Sequence, residues 1–245
     1  MVMTRADSLQ IGVLVPNGNV VHEREFDRLR PAGVGFAFRG FAYPPAGSPK
    51  FCDDLASQMA PSIRELREWG AGLILVGCTT ASMNCDDAVH HARLEAMAGV
   101  PVVTAARASR EAIEALKLNA LGVATPYGTA NNRVVQNYLQ SHGIAVTAIR
   151  GLDLDRSPEV WKASAANLTP QQLLEVAASV DSPESGGVYF PCTGIGSLEA
   201  IIAFEAATGK PAFSSIQAGF WASLRRLGYP GRRSGCGRLI DRWDF

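Results

Sequence analysis

This 245-residue chain has no net charge, no long apolar run and no histidines at metal-ligand spacing. No stretch of about 18 apolar residues occurs, so no membrane-spanning helix is expected. Lysine plus arginine and aspartate plus glutamate balance at 23 each. They are interspersed, which leaves no block of the kind that nucleic acid or an anionic membrane selects. The densest basic stretch, "RLGYPGRRSGCGR" (226–238), reads as a solvated tail. His22, His90, His91 and His142 match no metal motif, and no glycine-rich turn carries a phosphate-loop lysine. The opening "MVMTRADSLQ" has no apolar segment behind it, so no secretory leader is expected. Five cysteines, an odd count without Cys-x-x-Cys spacing, fit reduced cytoplasmic thiols better than a disulfide framework.

Apolar residues make up 47% of the chain, enough for a substantial core. Short apolar runs predict strands at 11–16, 34–43, 71–77, 100–104, 121–126, 144–152, 186–191 and 210–215. Between them, Leu55, Met59, Ile63 and Leu66 recur at helical spacing, with Asp53 and Asp54 at the start where the helix dipole favours them. Further helical faces fall at 105–117, 130–142, 170–180, 196–207 and 217–227. Strands alternating with helices predict an α/β fold with mainly parallel sheets. Trp69, Trp161, Trp221 and Trp243 are expected in the core or at lobe contacts.

The two halves resemble each other. "IGVLVPNG" at 11 matches "LGVATPYG" at 121, "LILVGCTTAS" at 73 matches "GVYFPCTGIGS" at 187, and "VPVVTAARASREAI" at 100 matches "KPAFSSIQAGFWASL" at 210. The offsets are nearly constant, at 110, 114 and 110 residues for Ile11–Leu121, Cys78–Cys192 and Pro101–Pro211. Such a repeat predicts two similar lobes facing across a cleft, residues 1–107 plus 218–245 and residues 108–217.

In each half a strand ends, Cys-Thr comes next, and a helix is predicted. Ligands of α/β sheets bind at the carboxyl ends of strands. Unpaired N–H groups at a helix start hold carboxylates and developing oxyanions, and their field lowers a thiol pKa. Cys78 and Cys192 are therefore candidate reactive thiols, whereas Cys52, Cys85 and Cys236 lack a repeat mate and read as structural. Two thiols across a cleft can act as nucleophile, acid or base on opposite faces of one molecule. The natural target is the carbon beside a carboxylate. Asn17 and Gly18 read as turn formers, while Asn19 and Tyr127 occupy matched positions and are candidate carboxylate partners.

The segments "VPNGNVVHE", "GCTTAS", "ATPYGTANN", "PCTGIGSLEAI" and "SSIQAGFWASLRRLG…GCGRL" together resemble the aspartate/glutamate racemase superfamily, in particular its group of maleate cis-trans isomerases and arylmalonate decarboxylases. The resemblance implies two pseudo-symmetric α/β lobes with the active site between them, and chemistry without cofactor or metal. It puts Cys78 at the isomerase nucleophile and Cys192 at the second acid/base cysteine, with Asn19, Tyr127 and Asn132 positioning substrate. Decarboxylases of the group keep only the cysteine matching Cys192, so the paired thiols point to an isomerase or racemase. Where isomerase relatives carry an asparagine, this chain has Ser157.

The expected reaction is cis-trans isomerisation of maleate or a maleate-like dicarboxylate, with Thr79, Thr80, Thr193 and Gly194 holding the anionic intermediate. Alternatives are an amino-acid or hydantoin racemase, an arylmalonate-type decarboxylase and a non-catalytic carboxylate-binding protein. A small carboxylate is the expected partner, without nucleic acid or membrane, in a homo-oligomer.

Overall fold

The computed structural model describes residues 9–44, 48–230 and 234–241; Trp243 and residues 231–233 of the basic stretch lie outside them. The first half of the chain carries β1 (Leu9–Pro16), α1 (Val21–Leu29), β2 (Val34–Phe41), α2 (Phe51–Trp69), β3 (Leu73–Val76), α3 (Thr79–Asn84), α4 (Ala88–Ala98), β4 (Val102–Thr104) and α5 (Ala105–Ala115). The second carries β5 (Ala120–Thr125), α6 (Thr129–Ser141), β6 (Ala145–Gly151), α7 (Pro158–Ser164), α8 (Pro170–Val180), β7 (Val188–Phe190), α9 (Leu198–Thr208), β8 (Ala212–Ser214) and α10 (Ser215–Arg226). Single 3₁₀ turns flank α7 at Leu154–Arg156 and Ala165–Asn167, and α11 (Arg238–Asp241) ends the described chain.

The repeat becomes two parallel four-stranded sheets of one topology, β2-β1-β3-β4 and β6-β5-β7-β8. Strands β1, β3, β4, β5, β7 and β8 are largely buried and need continuous apolar sequence, which is why these runs stood out, whereas the edge strands β2 and β6 are only partly buried. In each sheet the order reverses direction between the first and third strands of the lobe. A crevice opens there at the carboxyl ends, the usual ligand position of such sheets. Asn19 and Cys78 come after β1 and β3; Tyr127 and Cys192 come after β5 and β7.

One apolar cluster runs through both lobes, joining Ile11, Val13 and Leu75 to Val123, Tyr189 and Phe213. The Tyr189 hydroxyl ties β7 to two helices, 2.8 Å from Ser109 Oγ on α5 and 2.7 Å from Ser215 Oγ on α10. A smaller cluster lies under α2, whose Leu55, Met59, Ile63 and Leu66 are all buried against Leu14 and Val76. Trp221 is fully buried, in keeping with the core expectation, whereas Trp161 stacks on Tyr127 at 6.2 Å and lines a cavity. No described helix is long and apolar enough to cross a membrane.

The cysteines require a correction. Cys52 at the start of α2 and Cys85 at the end of α3 form a disulfide, with Cα atoms 5.6 Å apart, while Cys78, Cys192 and Cys236 are free. The pair is structural, as expected, but not reduced: partners 33 residues apart meet only because α2 and α3 converge.

Candidate active site

A cavity of about 550 Å³ lies between the lobes. Eight of the nine residues singled out from the sequence line it: Cys78, Thr79, Thr80 and Asn19 from the first lobe, and Tyr127, Cys192, Thr193 and Gly194 from the second.

Cys78 enters from β3 in an extended conformation (φ −143°, ψ 115°) and α3 starts at the next residue. The preceding Gly77 is closely packed within the first lobe: its N–H donates to the Leu14 carbonyl at 2.7 Å, and a side chain there would strike the His22 ring. Tyr43, which the sequence reading absorbed into a strand, supplies the main contact. Its hydroxyl lies 3.1 Å from Cys78 Sγ and 3.1 Å from Thr80 Oγ1. Burial pushes the Cys78 thiol up, opposed by the Tyr43 hydroxyl, the Ala81 N–H and the Thr80 hydroxyl.

Cys192 sits differently. Here the sequence predicts a helix starting at 196, close behind the thiol; instead a loop runs from Thr193 to Ser197 and α9 begins at Leu198. The Gly194 N–H donates to Cys192 Sγ at 3.2 Å. Burial raises the thiol to about 12, against hydrogen bonds from Tyr127 and Gly194, and the nearby Cys78 and Asp155 add to the rise. The expectation that helix-start N–H groups lower both thiols is therefore overturned: removing sulfur from water outweighs the donors offered to the thiolate.

The other polar groups divide into those with free hydrogen-bonding capacity and those already engaged. Thr79 Oγ1 is buried and has no partner among the described residues, so it can donate to a ligand. Asn19 Oδ1 accepts from the Val21 and His22 N–H groups at 3.1 and 3.2 Å, capping α1, while Nδ2 donates to the Thr193 carbonyl at 2.8 Å. One amide hydrogen of Asn19 remains. The Thr193 hydroxyl donates to the Gly77 carbonyl at 2.8 Å, so it ties the lobes together. Asn132 does not line the cavity: its Oδ1 accepts from Thr125 Oγ1 at 2.6 Å and its Nδ2 donates to the Tyr127 carbonyl at 3.3 Å. Its neighbour Asn131 faces the cavity, where Nδ2 donates to Asp155 Oδ2 at 2.5 Å. Ser157 also lines the wall while capping α7 through a 3.2 Å bond from the Val160 N–H.

Among the described residues no lysine, arginine or histidine lines the cavity. Asp155, its only carboxylate among the described residues, already accepts from Asn131 and from the Gly128 N–H. Among the described residues no group of three or more His, Cys, Asp or Glu side chains could hold a metal ion. The arrangement thus offers two thiols, each with a tyrosine beside it, and neutral donors for an anion.

Comparisons with known proteins agree with this architecture. A family model described as arylmalonate decarboxylase matches residues 11–240. The chain is 28% identical over 243 residues to arylmalonate decarboxylase from Bordetella bronchiseptica, covering 98% of this chain and 99% of that one. It is 27% identical over 244 residues to maleate isomerase from Nocardia farcinica, covering 94% and 95%. A solved structure of a cysteine-to-serine mutant of the Nocardia farcinica maleate cis-trans isomerase, with a covalently bound succinylcysteine intermediate, superposes with a TM-score of 0.80 at 26% identity, over 96% of this chain and 98% of that one.

Proposed function

Since the chain belongs to the arylmalonate decarboxylase family, we propose that it is a cofactor-independent isomerase of maleate or a maleate-like dicarboxylate, with Cys78 as nucleophile and Cys192 as proton donor. One observation carries the reading: thiols from the two homologous lobes line a single cavity, each beside a tyrosine. The cycle starts with Cys78 as thiolate and Cys192 as thiol. Cys78 has three donors for a negative sulfur, namely Tyr43, Thr80 and the Ala81 N–H. Cys192 has two, and the charges of Cys78 and Asp155 oppose its ionisation.

Cys78 Sγ bonds to one alkene carbon as the π bond breaks. The electron pair moves into the carboxylate borne by the other alkene carbon, giving an enediolate. The Thr79 hydroxyl, without a partner among the described residues, supports that charge together with the field of the N–H groups at the start of α3. Loss of one such donor raises a barrier by about 3–4 kcal/mol. Cys192 passes its proton to the carbanionic carbon, the former double bond rotates as a single bond, and the thiolate of Cys192 takes the proton back. Expulsion of Cys78 Sγ then releases the trans acid.

Proton NMR of the protein with maleate in D₂O tests this directly: fumarate should accumulate with the wild type and not with Cys78→Ser. Substantial isomerisation by that variant would rule out the assignment. A second reading, decarboxylation of a disubstituted malonate, draws on the similarity to the Bordetella bronchiseptica decarboxylase and on the aromatic wall of Tyr43, Tyr127 and Trp161. It requires CO₂ release from an arylmalonate, which the same NMR sample would report.

A further inference from the structure

Helix α1 contacts the backbone beside both thiols. His22 packs under Gly77, immediately before Cys78. One turn later, Glu25 reaches into the other lobe, where its Oε2 accepts from the Ser197 and Leu198 N–H groups at 3.2 Å each. These are the first N–H groups of α9, which have no intrahelical acceptor and are buried here. Glu25 is itself 3% exposed. Its Oε1 lies 3.3 Å from Arg28 Nη1, and Arg28 also pairs with Glu199 on α9. Asn19, just before α1, holds the Thr193 carbonyl. The loop between Cys192 and α9 is thus pinned at both ends by residues of the first lobe. Between the pins lies Gly194, whose N–H is bonded to the Cys192 sulfur.

We propose that Glu25, acting with Asn19 through this loop, is a positioning residue that sets where the Cys192 thiol stands across the cavity; this rests on the reading of Cys192 as proton donor. A carboxylate suits the task because a charged acceptor makes stronger bonds to N–H groups than a neutral one. Its removal leaves buried N–H groups without a partner, and the loop must shift to reach water or another acceptor. That shift carries the Gly194 N–H and the sulfur with it.

The test uses the full chain with Glu25→Ala, Glu25→Asp and Glu25→Gln, and two readouts. The first needs no substrate: the rates at which iodoacetamide labels Cys192 and Cys78, resolved by peptide mass spectrometry below the melting temperature. The second is the kcat and KM for maleate. In Glu25→Ala the Cys192-to-Cys78 labelling ratio should change about tenfold and kcat should fall about a hundredfold, the scale of a small misplacement of a reacting group, while KM stays within about threefold. Glu25→Gln keeps an acceptor oxygen and should recover most of both. A folded Glu25→Ala protein with unchanged ratio and kcat overturns the proposal, as does a fall in kcat without a change in ratio. Should Glu25→Ala fail to fold, Glu25→Asp, one methylene shorter, takes its place, and a wild-type labelling ratio there overturns it equally. Absence of maleate turnover in the wild type would count against the functional reading alone, and the labelling ratio would still decide the role of Glu25.

Discussion

The two thiol stations occupy matching positions of the repeat and differ just beyond the sulfur. At Cys78 a helix begins at once, three donors face the sulfur, and the far end of α3 is braced by the Cys52–Cys85 disulfide. At Cys192 a five-residue loop intervenes, two donors face the sulfur, and the next helix start is held by Glu25 from the other lobe. Topology therefore fixes where each thiol stands, while the local donors and charges fix how tightly it keeps its proton. On the proposed assignment, a nucleophile and an acid stand at matching positions of one repeat.

The largest expected effect breaks the comparison outright. Cys78→Ser should abolish isomerisation, whereas Cys192→Ser should still add maleate to Cys78, visible as an adduct in intact-protein mass spectra. An adduct on Cys192 instead would exchange the two roles.

A second test concerns His22, which packs under Gly77 where the other lobe has Pro191. Burial lowers its pKa from 6.5 to about 3, the carbonyl region of Gly77 pulling slightly the other way. The folded state thus refuses a proton that the unfolded chain accepts below 6.5. Stability should be full above that pH and fall by several kcal/mol as pH drops towards 3. Urea midpoints against pH should show this slope, and His22→Gln should flatten it.

The disulfide comes next, since only the first lobe has one among the described residues. For partners 33 residues apart, chain entropy predicts about 3–4 kcal/mol. Cys52→Ser should therefore lower the melting temperature by about 10 °C. Activity well below the new midpoint should change little, because neither cysteine lines the cavity. Calorimetry and an assay at low temperature check both statements.

The smallest effect sharpens the difference in proton affinity. Tyr43→Phe removes a hydrogen bond to a charged sulfur, worth about 1.5–3 kcal/mol, and should slow turnover about tenfold to a hundredfold. Activity should rise with pH as Cys78 ionises, with a midpoint above the ordinary thiol range because burial raises it. In Tyr43→Phe that midpoint should move higher still. A midpoint unmoved by the substitution would assign the titration to another group.

Much of this fold was legible because buried parallel strands announce themselves as apolar runs, and because the repeat doubled every signal. The face of α2 was equally plain. Helix α1 was not read at all: "VHEREFDRL" turns His22 and Glu25 inward, so polar residues interrupt its apolar face. Their partners, Gly77 and residues 197–198, are distant in sequence and leave no local trace. Helix α3 was placed by the strand and Cys-Thr motif before it and not by period, since it is six residues long and almost wholly buried. At the site, the thiols and Tyr127 stood out through matched positions. Asn131 and Asn132 are adjacent, so only the rotation of α6 decides which faces the cavity. Tyr43 has no repeat mate to flag it; its one cue is an aromatic ring directly after a strand, ahead of "PP".

The hydroxyl of Thr193, resting on the Gly77 carbonyl, has a bearing on how molecules come and go. Parting the lobes like jaws would rupture that bond together with the Asn19 and Glu25 crossings. Val20 and Tyr43, which line the cavity and are left 56% and 46% exposed, stand where it meets solvent. Probes attached to opposite lobes should keep their spacing whether the cavity is empty or filled.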